Sequence, residues 1–396
     1  MIPSFRWFGP TDVVTLQHIR QAGARSVVTA LHDHSCGSLW SREAIANHRQ
    51  LVENADMKWH VVESLPIHES IKQGKPESER YLEIYAESMR NLAAEGIDVI
   101  CYNFMPVTDW TRTELAHPLS DTSTVLLCDG AGLAAFERHV LDLGDLETRY
   151  SADELLAGDQ LWETLDDAAK DRLTSAILLG LPGTVDNLSP TEFKSMLADY
   201  DGIDAATLRS NLVRFLEYVT PIAEEIGITM AIHPDDPPRP LFGLPRVLST
   251  GDDFQKIVDA VPSKANGLTF CSGSFGGRLE NNPVEIFERF AERIPFAHFR
   301  NVQFLNEDTN TFCESPHLDG RVDMIALVEA LRNEEQRREE EGHSCPLIPV
   351  RPDHGRELID DSTKQSYAGY SYQGRAIALA ELLAIEKTLN RTSLKG

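Results

Sequence analysis

The chain carries little positive charge. Its 396 residues include 37 lysines and arginines against 62 aspartates and glutamates, giving a formal net charge of −25. Proteins that bind nucleic acids or anionic membrane surfaces do so with a surplus of Lys and Arg that displaces counterions. The composition therefore argues against a nucleic acid or a membrane surface as a partner, and a small anionic ligand must be held by local arginines or by a metal ion.

Long hydrophobic runs are also missing. No stretch approaches the roughly 18 consecutive apolar residues of a membrane-spanning helix. The N-terminal MIPSFRWFGP lacks the basic and then apolar segments of a secretion signal. The six cysteines are scattered rather than densely spaced, which favours a reducing compartment. We expect a cytoplasmic protein with free thiols.

Eight apolar or β-branched runs are spread over the whole chain. Runs such as VVTAL and DVICYNF do not alternate between apolar and polar residues, which is typical of parallel strands buried on both faces. The predicted strands cover residues 5–8, 26–31, 59–64, 98–107, 228–233, 267–271, 295–302 and 347–353.

Segments with the spacing of amphipathic helices alternate with these strands. Gly96, Gly227 and Gly342 stand where three of them would end, as expected for helix C-termini. Eight alternations favour an α/β fold of the (β/α)8 TIM-barrel type, forming one domain over residues 1–396, rather than a doubly wound sheet. The predicted helices cover residues 11–22, 41–55, 77–95, 206–226, 252–261, 283–294, 323–341 and 374–389.

One connection is far longer than the others. About a hundred residues, at about 108–205, separate the fourth predicted strand from its helix, and the second half of this segment is acidic. Helix-like patterns at 151–178 and 190–200 predict a large, mostly helical insertion after strand 4. Insertions in such barrels usually enter where a strand leads into a helix, so we expect it on the catalytic face, as a solvated cap or a subunit contact.

Four residues that bind transition metals well stand at the ends of four separate predicted strands. Parallel barrel strands end together on one face, so their last side chains can converge although long stretches of chain separate them. Imidazole, thiolate and carboxylate ligands suit first-row divalent metals better than Ca²⁺ or Mg²⁺, and by ligand type alone Zn²⁺ comes first. The predicted metal ligands are His233, Cys271, His298 and Asp353.

The LHDHSCG segment is a competing cluster of metal-binding residue types. In an extended stretch His32 and His34 face one way while Asp33 faces the other, and Cys36 falls in a Gly-Ser turn. We interpret this segment as a loop that lines the mouth of the barrel and not as a metal site.

The HPDDPPRP string is the most distinctive local pattern. Its prolines keep the backbone after His233 stiff and extended, which suits a preorganised loop beside a metal ligand. Asp235, Asp236 and Arg239 could orient the site from behind the ligands. For Asp236 we favour the simpler interpretation of an acidic turn.

Proton-transferring groups accompany the last predicted strand. His354, in RPDHG, can exchange a proton near neutral pH, and the Tyr370 phenol, in the loop that follows, could give a proton to a leaving hydroxyl or hold one in place. Other polar residues could hold a substrate, because Arg pairs with carboxylates and the histidines could contact a polyhydroxylated molecule at the rim. The predicted substrate contacts are Arg351, Arg300, Asn103, His68 and His317.

Taken together, these strings resemble the mannonate dehydratase family of hexuronate breakdown. The resemblance covers nearly the whole chain, and several of its motifs are long. It departs from the family pattern at LHDHSCG, where the family has no Cys-bearing cluster. The motifs that carry it are RWFGP, GARSVVTALH, VVESLPIHE, CYNFMPVTDWTRT, AIHPDDPPRPLFGLPR, TFCSGS, HLDGRVDM, RPDHG and GYSYQGR.

The resemblance implies a barrel related to xylose isomerases, a homo-oligomer such as a dimer, and Mn²⁺ or Fe²⁺ as the metal, with its ligands at the four positions named above. It implies loss of water from D-mannonate, a small aldonate, to give 2-dehydro-3-deoxy-D-gluconate. In this setting His354 and Tyr370 resemble the acid-base pair, with the direction of each proton transfer left open.

Two other functions are compatible with the residues alone. A sugar isomerase on the same scaffold would also combine a metal at the barrel mouth with proton transfer at carbon. A catalytically silent protein that binds metal or senses sugars would need the ligands but not His354 and Tyr370, and the presence of both argues against it.

Overall fold

A computed structural model describes residues 1–180, 188–305 and 310–393 of the chain. Within these residues, twelve β-strands are present, and none of the helices is both long and apolar enough to cross a membrane. The strands are β1 (Ile2–Arg6), β2 (Ser26–Thr29), β3 (Lys58–Glu63), β4 (Val99–Tyr102), β5 (Glu114–Pro118), β6 (Thr124–Cys128), β7 (Thr229–Ile232), β8 (Asn266–Cys271), β9 (Phe296–Phe299), β10 (Asn301–Phe304), β11 (Phe312–Ser315) and β12 (Pro349–Pro352).

Eight of the strands close into a parallel barrel in the order β1-β12-β9-β8-β7-β4-β3-β2, with β2 pairing back onto β1. These are the eight strands predicted from the sequence, so the (β/α)8 barrel is confirmed. Their ends differ by a few residues from the prediction. The seventh predicted strand is divided at Arg300 into β9, which belongs to the barrel, and β10, which does not.

Helices surround the barrel as the alternation predicted. The first is shorter than predicted, because Thr15 caps its N-terminus and the helix begins at Leu16. The helices are α1 (Leu16–Gln21), α2 (Arg42–Asn54), α3 (Glu69–Gln73), α4 (Ser78–Ala94), α5 (Gly130–Ala135), α6 (Ala152–Thr164), α7 (Asp167–Ile177), α8 (Pro190–Ala198), α9 (Ala205–Ile226), α10 (Gly251–Ala260), α11 (Ser272–Gly276), α12 (Pro283–Phe290), α13 (Met324–Glu340) and α14 (Tyr372–Ser393).

The core follows from the unbroken apolar strands. All residues of β2, β8 and β9 are buried. A small cluster inside the barrel joins Val28, Val61 and Cys101 to Phe296. Because Phe296 comes from β9, which pairs with none of the strands that carry the other three, these side chains meet across the barrel interior.

The long insertion is not only helical. It holds α5 to α8, and its residues 181–187 lie outside the described part of the chain. It also contains the β5-β6 hairpin, which the sequence analysis did not predict. The hairpin joins β10 and β11 in a four-stranded antiparallel sheet in the order β10-β11-β6-β5, which we call the accessory sheet. This sheet lies beside the carboxyl end of the barrel, since β10 continues directly from β9.

Candidate active site

Three of the four predicted metal ligands meet at the carboxyl end of the barrel. His233 follows β7 directly, Cys271 ends β8 and His298 lies in β9. Cys271 and His298 are paired in the register of neighbouring strands, which brings their side chains side by side. One ligand atom from each of the three residues lies within 4.8 Å of the others.

His233 has a defined tautomer. Its Nδ1 lies 2.7 Å from the carbonyl oxygen of Pro234, and because a carbonyl can only accept, Nδ1 carries the hydrogen. The lone pair of Nε2 is therefore free to bind a metal ion. Burial lowers the pKa of His233, which favours the neutral ring that ligation requires.

His298 is fully buried, and among the described residues neither of its ring nitrogens has a hydrogen-bond partner. Nε2 lies 3.4 Å from Oε1 of Glu63, and Nδ1 lies 3.9 Å from Oδ2 of Asp353. Buried polar nitrogens without partners are rare because they cost free energy. A metal ion bound to His298 would satisfy one of them, so this residue fits a metal site.

Cys271 contributes the sulfur of the cluster. The hydroxyl of Ser274 lies 3.1 Å from Sγ, and Nη2 of Arg300 lies 3.6 Å from it. Donors directed at a sulfur stabilise the thiolate, which is the form that binds metals. Together with the two imidazoles, this donor set fits a first-row divalent ion.

Asp353, the fourth predicted ligand, adjoins the three. Its Oδ2 lies 3.7 Å from Sγ of Cys271, and its two oxygens are 2.7 Å from Nη1 of Arg351 and 3.1 Å from Nε of Arg300. Burial alone would raise the pKa of Asp353, but the neighbouring His354, Arg351 and His298 hold it well below its usual range. A carboxylate therefore stands beside the sulfur and the imidazoles.

Arg351 holds carboxylates of the protein itself. It forms two parallel hydrogen bonds to Glu63, with Nε 3.0 Å from Oε2 and Nη2 2.8 Å from Oε1, besides its contact with Asp353. Arg6 adds a further ion pair to Glu63 at 3.0 Å. Against the opposing effect of burial, Arg351, His298 and Arg6 hold the pKa of Glu63 well below its usual range. The prediction placed Arg351 on a substrate carboxylate and overlooked Glu63.

The interpretation of Asp236 as an acidic turn is wrong. The residue is 2% exposed and accepts two hydrogen bonds from Arg112, at 2.8 and 3.1 Å, and one from Arg300 at 2.8 Å. Arg112 belongs to the insertion, and Arg300 stands between β9 and β10. The proline-rich loop therefore places a carboxylate between two buried guanidinium groups, and Arg300 in turn contacts Cys271 and Asp353.

His354 is oriented by Glu314, a residue of β11 that the sequence analysis did not identify. Nδ1 of His354 lies 2.9 Å from Oε1 of Glu314, and the same oxygen accepts from Arg300 at 2.5 Å and from Arg112 at 3.0 Å. Nη1 of Arg300 lies 3.1 Å from the same Nδ1, but the carboxylate oxygen is closer, and as an acceptor it favours the tautomer with the hydrogen on Nδ1. The other ring nitrogen, Nε2, is then the atom available for proton transfer.

Tyr370 packs beside this histidine. The two rings meet edge to face with centroids 5.1 Å apart, and the phenol oxygen lies 3.5 Å from Oδ1 of Asp353. Tyr370 is 4% exposed, and burial together with the charge of Asp353 raises the pKa of its phenol. The protonated phenol and the imidazole thus flank the carboxylate that adjoins the metal cluster.

A cavity of about 390 Å³ opens at the same end of the barrel, beside β2, β3 and β4. Its wall includes Ser35 and Cys36, from the loop predicted to line the mouth, together with Asn103 and His68. His68 stacks on Tyr81 with ring centroids 3.5 Å apart. Asn103 and His68, two of the predicted substrate contacts, therefore face a common space; the other predicted contacts are not part of its wall.

His317 occupies a different environment. It is 4% exposed, and its Nε2 donates to the carbonyl of Phe299 at 2.6 Å, which fixes the end of β9. Burial lowers the pKa of His317 to about 4, so the ring is neutral at physiological pH. This places His317 in the supporting structure and apart from the cavity wall.

A barrel with imidazole, thiolate and carboxylate groups converging at its carboxyl end belongs to the class of TIM-type barrels with a mouth suited to a transition metal. A family model described as D-mannonate dehydratase (UxuA) matches residues 1–395. The chain belongs to the mannonate dehydratase family.

Individual relatives agree with the family match. The chain is 49% identical over 391 residues to a mannonate dehydratase of Chromohalobacter salexigens, covering 99% of each chain. Its fold matches a crystal structure of mannonate dehydratase from Streptococcus suis serotype 2 with a TM-score of 0.77 at 33% identity, over 99% of this chain and 94% of that one. A xylose isomerase domain protein of Planctomyces limnophilus, at 13% identity, shares the fold alone, with a TM-score of 0.51 over 98% of this chain and 99% of that one.

Proposed function

We propose that the chain removes water from D-mannonate to give 2-dehydro-3-deoxy-D-gluconate, in the breakdown of hexuronates. A mannonate dehydratase is a hydro-lyase, and the family match supports this activity. The observation that carries the proposal is the convergence of His354 and Tyr370 on the carboxylate beside the three-ligand cluster. Incubation of the purified protein with D-mannonate and Mn²⁺ tests it, and the expected product is a 2-keto-3-deoxy acid.

The metal in this proposal is Mn²⁺ or Fe²⁺, held by His233, Cys271, His298 and Asp353. When bound, it would act as a Lewis acid and template for the substrate carboxylate and a hydroxyl. The partnerless nitrogens of His298 and the free Nε2 of His233 support a metal at this position. Elemental analysis of protein purified without added metal, followed by reconstitution with Mn²⁺, Fe²⁺ and Zn²⁺, identifies the active ion.

His354 is the base of the proposed reaction. The proton on C2 is poorly acidic because its neighbour is a carboxylate, so a positioned base is needed. The hydrogen bond from Nδ1 to Glu314 leaves the lone pair on Nε2, and Glu314 stabilises the positive charge that the ring gains on taking the proton. Glu314 is thus a positioning residue that acts through His354.

Tyr370 is the acid of the proposed reaction. Hydroxide is a poor leaving group, and protonation of the C3 hydroxyl as the C–O bond breaks lets it depart as water. Burial and the neighbouring Asp353 keep the proton on the phenol, which suits a donor better than a base. After water has left, the C2–C3 enol takes a proton from solvent at C3 to give the keto acid.

The arginines and the rim residues have separate roles in this account. Arg300 donates hydrogen bonds to Asp236 and Glu314, and Arg351 donates to Glu63 and Asp353. We therefore assign both arginines to holding these carboxylates in place rather than to binding the substrate. Asn103 and His68 face the cavity and are assigned to the substrate hydroxyls. His317 supports β9.

We also infer a cytoplasmic location and a homodimer. All six cysteines are free thiols, which supports a reducing compartment. The dimer rests on the family resemblance. Light scattering during size-exclusion chromatography measures the oligomeric state, and a particle with the 44.2 kDa mass of one chain would contradict the dimer.

A further inference from the structure

We propose that the cavity beside β2, β3 and β4 binds the hydroxylated tail of the sugar acid, and that Lys72 and Asp109 are the residues that recognise its length. This inference rests on the proposed dehydratase function. It extends that function from the reacting carbons C2 and C3 to the part of the substrate that does not react.

Two residues of the cavity wall adjoin, in the chain, residues that contact the metal cluster. Ser64, on its wall, directly follows Glu63, whose Oε1 is 3.4 Å from the buried imidazole of His298. Asn103, also on the wall, directly follows Tyr102, whose carbonyl accepts a hydrogen bond from the backbone N–H of the ligand His233 at 2.9 Å. In this proposal, a substrate anchored at the cluster by its carboxyl end extends into this space.

Lys72 supplies a fixed cation to the wall. It is 4% exposed, and its Nζ donates to Oε1 of Glu69 at 2.6 Å and to the carbonyl of Met105 at 2.7 Å. Burial would lower the pKa of Lys72, but Glu69 and Asp109 raise it above its usual value, so the ammonium keeps its three donors. Two are used by these contacts, and the third is available to an oxygen in the cavity.

Asp109 supplies the complementary acceptor. Its Oδ2 accepts from Nδ2 of Asn103 at 3.3 Å, and the carboxyl group has further lone pairs for ligands on the cavity side. A carboxylate can accept from two neighbouring hydroxyls at once, while Lys72 can donate to an oxygen of the same chain. This combination of acceptor and donor suits a polyol.

The insertion holds this arrangement in place. Tyr200, from the segment between α8 and α9, donates to Oε2 of Glu69 at 2.5 Å, and the backbone N–H of Val107 donates to the same oxygen at 3.2 Å. Met196 of α8 contributes to the wall. The volume of about 390 Å³ lies within the range of roughly 300–1,000 Å³ typical of small-ligand sites. The insertion thus contributes to the cavity wall and to the contacts that hold Glu69 beside Lys72.

Substrate truncation combined with mutation tests this site. The probes are D-mannonate and two aldonates that keep its C2 and C3 configuration but are one and two carbons shorter. In the metal-loaded wild-type enzyme, we expect truncation to lower kcat/KM by about 10–100-fold, because buried polar groups lose their partners. Asp109→Asn should lower kcat/KM for D-mannonate and so reduce the loss of kcat/KM that truncation causes.

The matched control is Asp199→Asn, because Asp199 is an exposed aspartate of the same insertion and pairs with Lys75 at 3.5 Å. In this control variant, truncation of the substrate should lower kcat/KM by the same factor as in the wild-type enzyme. Lys72→Met is the second variant, and it should also reduce the loss of kcat/KM that truncation of the substrate causes. An equal loss in wild type, Asp109→Asn and Lys72→Met would overturn the inference while leaving the dehydratase function intact. A metal-loaded wild-type enzyme that turns over none of the acids would overturn the proposed function itself, and this inference with it.

Discussion

Nδ1 of His354 lies 2.9 Å from Oε1 of Glu314, so a barrel residue is oriented by a residue of the accessory sheet. Glu314 is 2% exposed and also accepts from Arg112, which belongs to the insertion. The long insertion after β4 and the segment after β9 thus reach the catalytic end of the barrel together. Through Glu314, the accessory sheet contributes a side chain to the candidate active site.

Glu314→Gln should lower kcat by about 10–100-fold with little change in KM, because the neutral amide supports a protonated His354 less well than a carboxylate does. Steady-state kinetics on D-mannonate, with metal content and melting temperature measured in parallel, check this. Glu114→Gln, an exposed position on β5 of the same sheet, is the control and should behave as wild type. Equal kinetics of the two variants would remove Glu314 from its assigned role.

Cys271→Ala and Tyr370→Phe should lose activity for different reasons. The first removes a ligand atom, so the purified protein should lose its metal. The second keeps all four ligands, so it should retain metal while kcat falls by about 10²–10⁴-fold, the usual contribution of a general acid. Elemental analysis and kinetics on the same samples separate the two effects. A Tyr370→Phe enzyme with nearly wild-type turnover would show that this phenol is not the proton donor.

Asp236→Asn should destabilise the fold by about 3–5 kcal/mol, because it leaves Arg112 and Arg300 buried with less compensating charge. Urea unfolding monitored by circular dichroism measures the change. Asp121→Asn is the matched control. Asp121 pairs with Arg356 at the surface with 52% of its side chain exposed, so its loss should cost less than about 1 kcal/mol. Similar losses in both variants would mean that the buried network contributes no special stability.

Stability should fall as the pH drops from 7.5 to 5.5, partly because of buried histidines. Burial lowers the pKa of His48 to about 4, against about 6.5 in an unfolded chain. Between these values the unfolded state binds more protons, so this contribution is complete above about pH 6.5 and is lost as the pH falls towards 4. His48→Gln should reduce the loss between pH 7.5 and 5.5 by on the order of 1 kcal/mol. Identical pH dependences of the unfolding free energy would contradict this.

The barrel could be predicted because each of its strands has its own local pattern in the sequence. Runs such as VVTAL are buried on both faces and follow one another in chain order, so their number and type are visible in the sequence. The accessory sheet gave no such signal. Its central pairing joins Phe312 to Cys128, and nothing within either short strand indicates a partner so distant in the chain. The apolar TVLLC run of β6 was the feature that could have revealed a strand inside the insertion.

The convergence of three of the four predicted ligands could be predicted for the same reason, since strand ends on one face converge whatever lies between them. The charged residues that contact the predicted ligands could not be predicted in this way. Asp236 in a proline-rich string has the composition of an exposed turn, and its burial depends on Arg112, which is 124 residues away in the chain. Glu63, at the end of β3, had the same strand-end position as the metal ligands and could have been noticed on that ground.

The most direct test of the account follows the reaction of the Mn²⁺-loaded enzyme with D-mannonate in deuterated water by proton NMR. We expect the C2 proton signal to disappear and a 2-keto-3-deoxy acid to form with one deuterium at C3, because the enol takes its last proton from solvent. Unchanged D-mannonate, or a product that has exchanged or moved a proton without losing water, would contradict it.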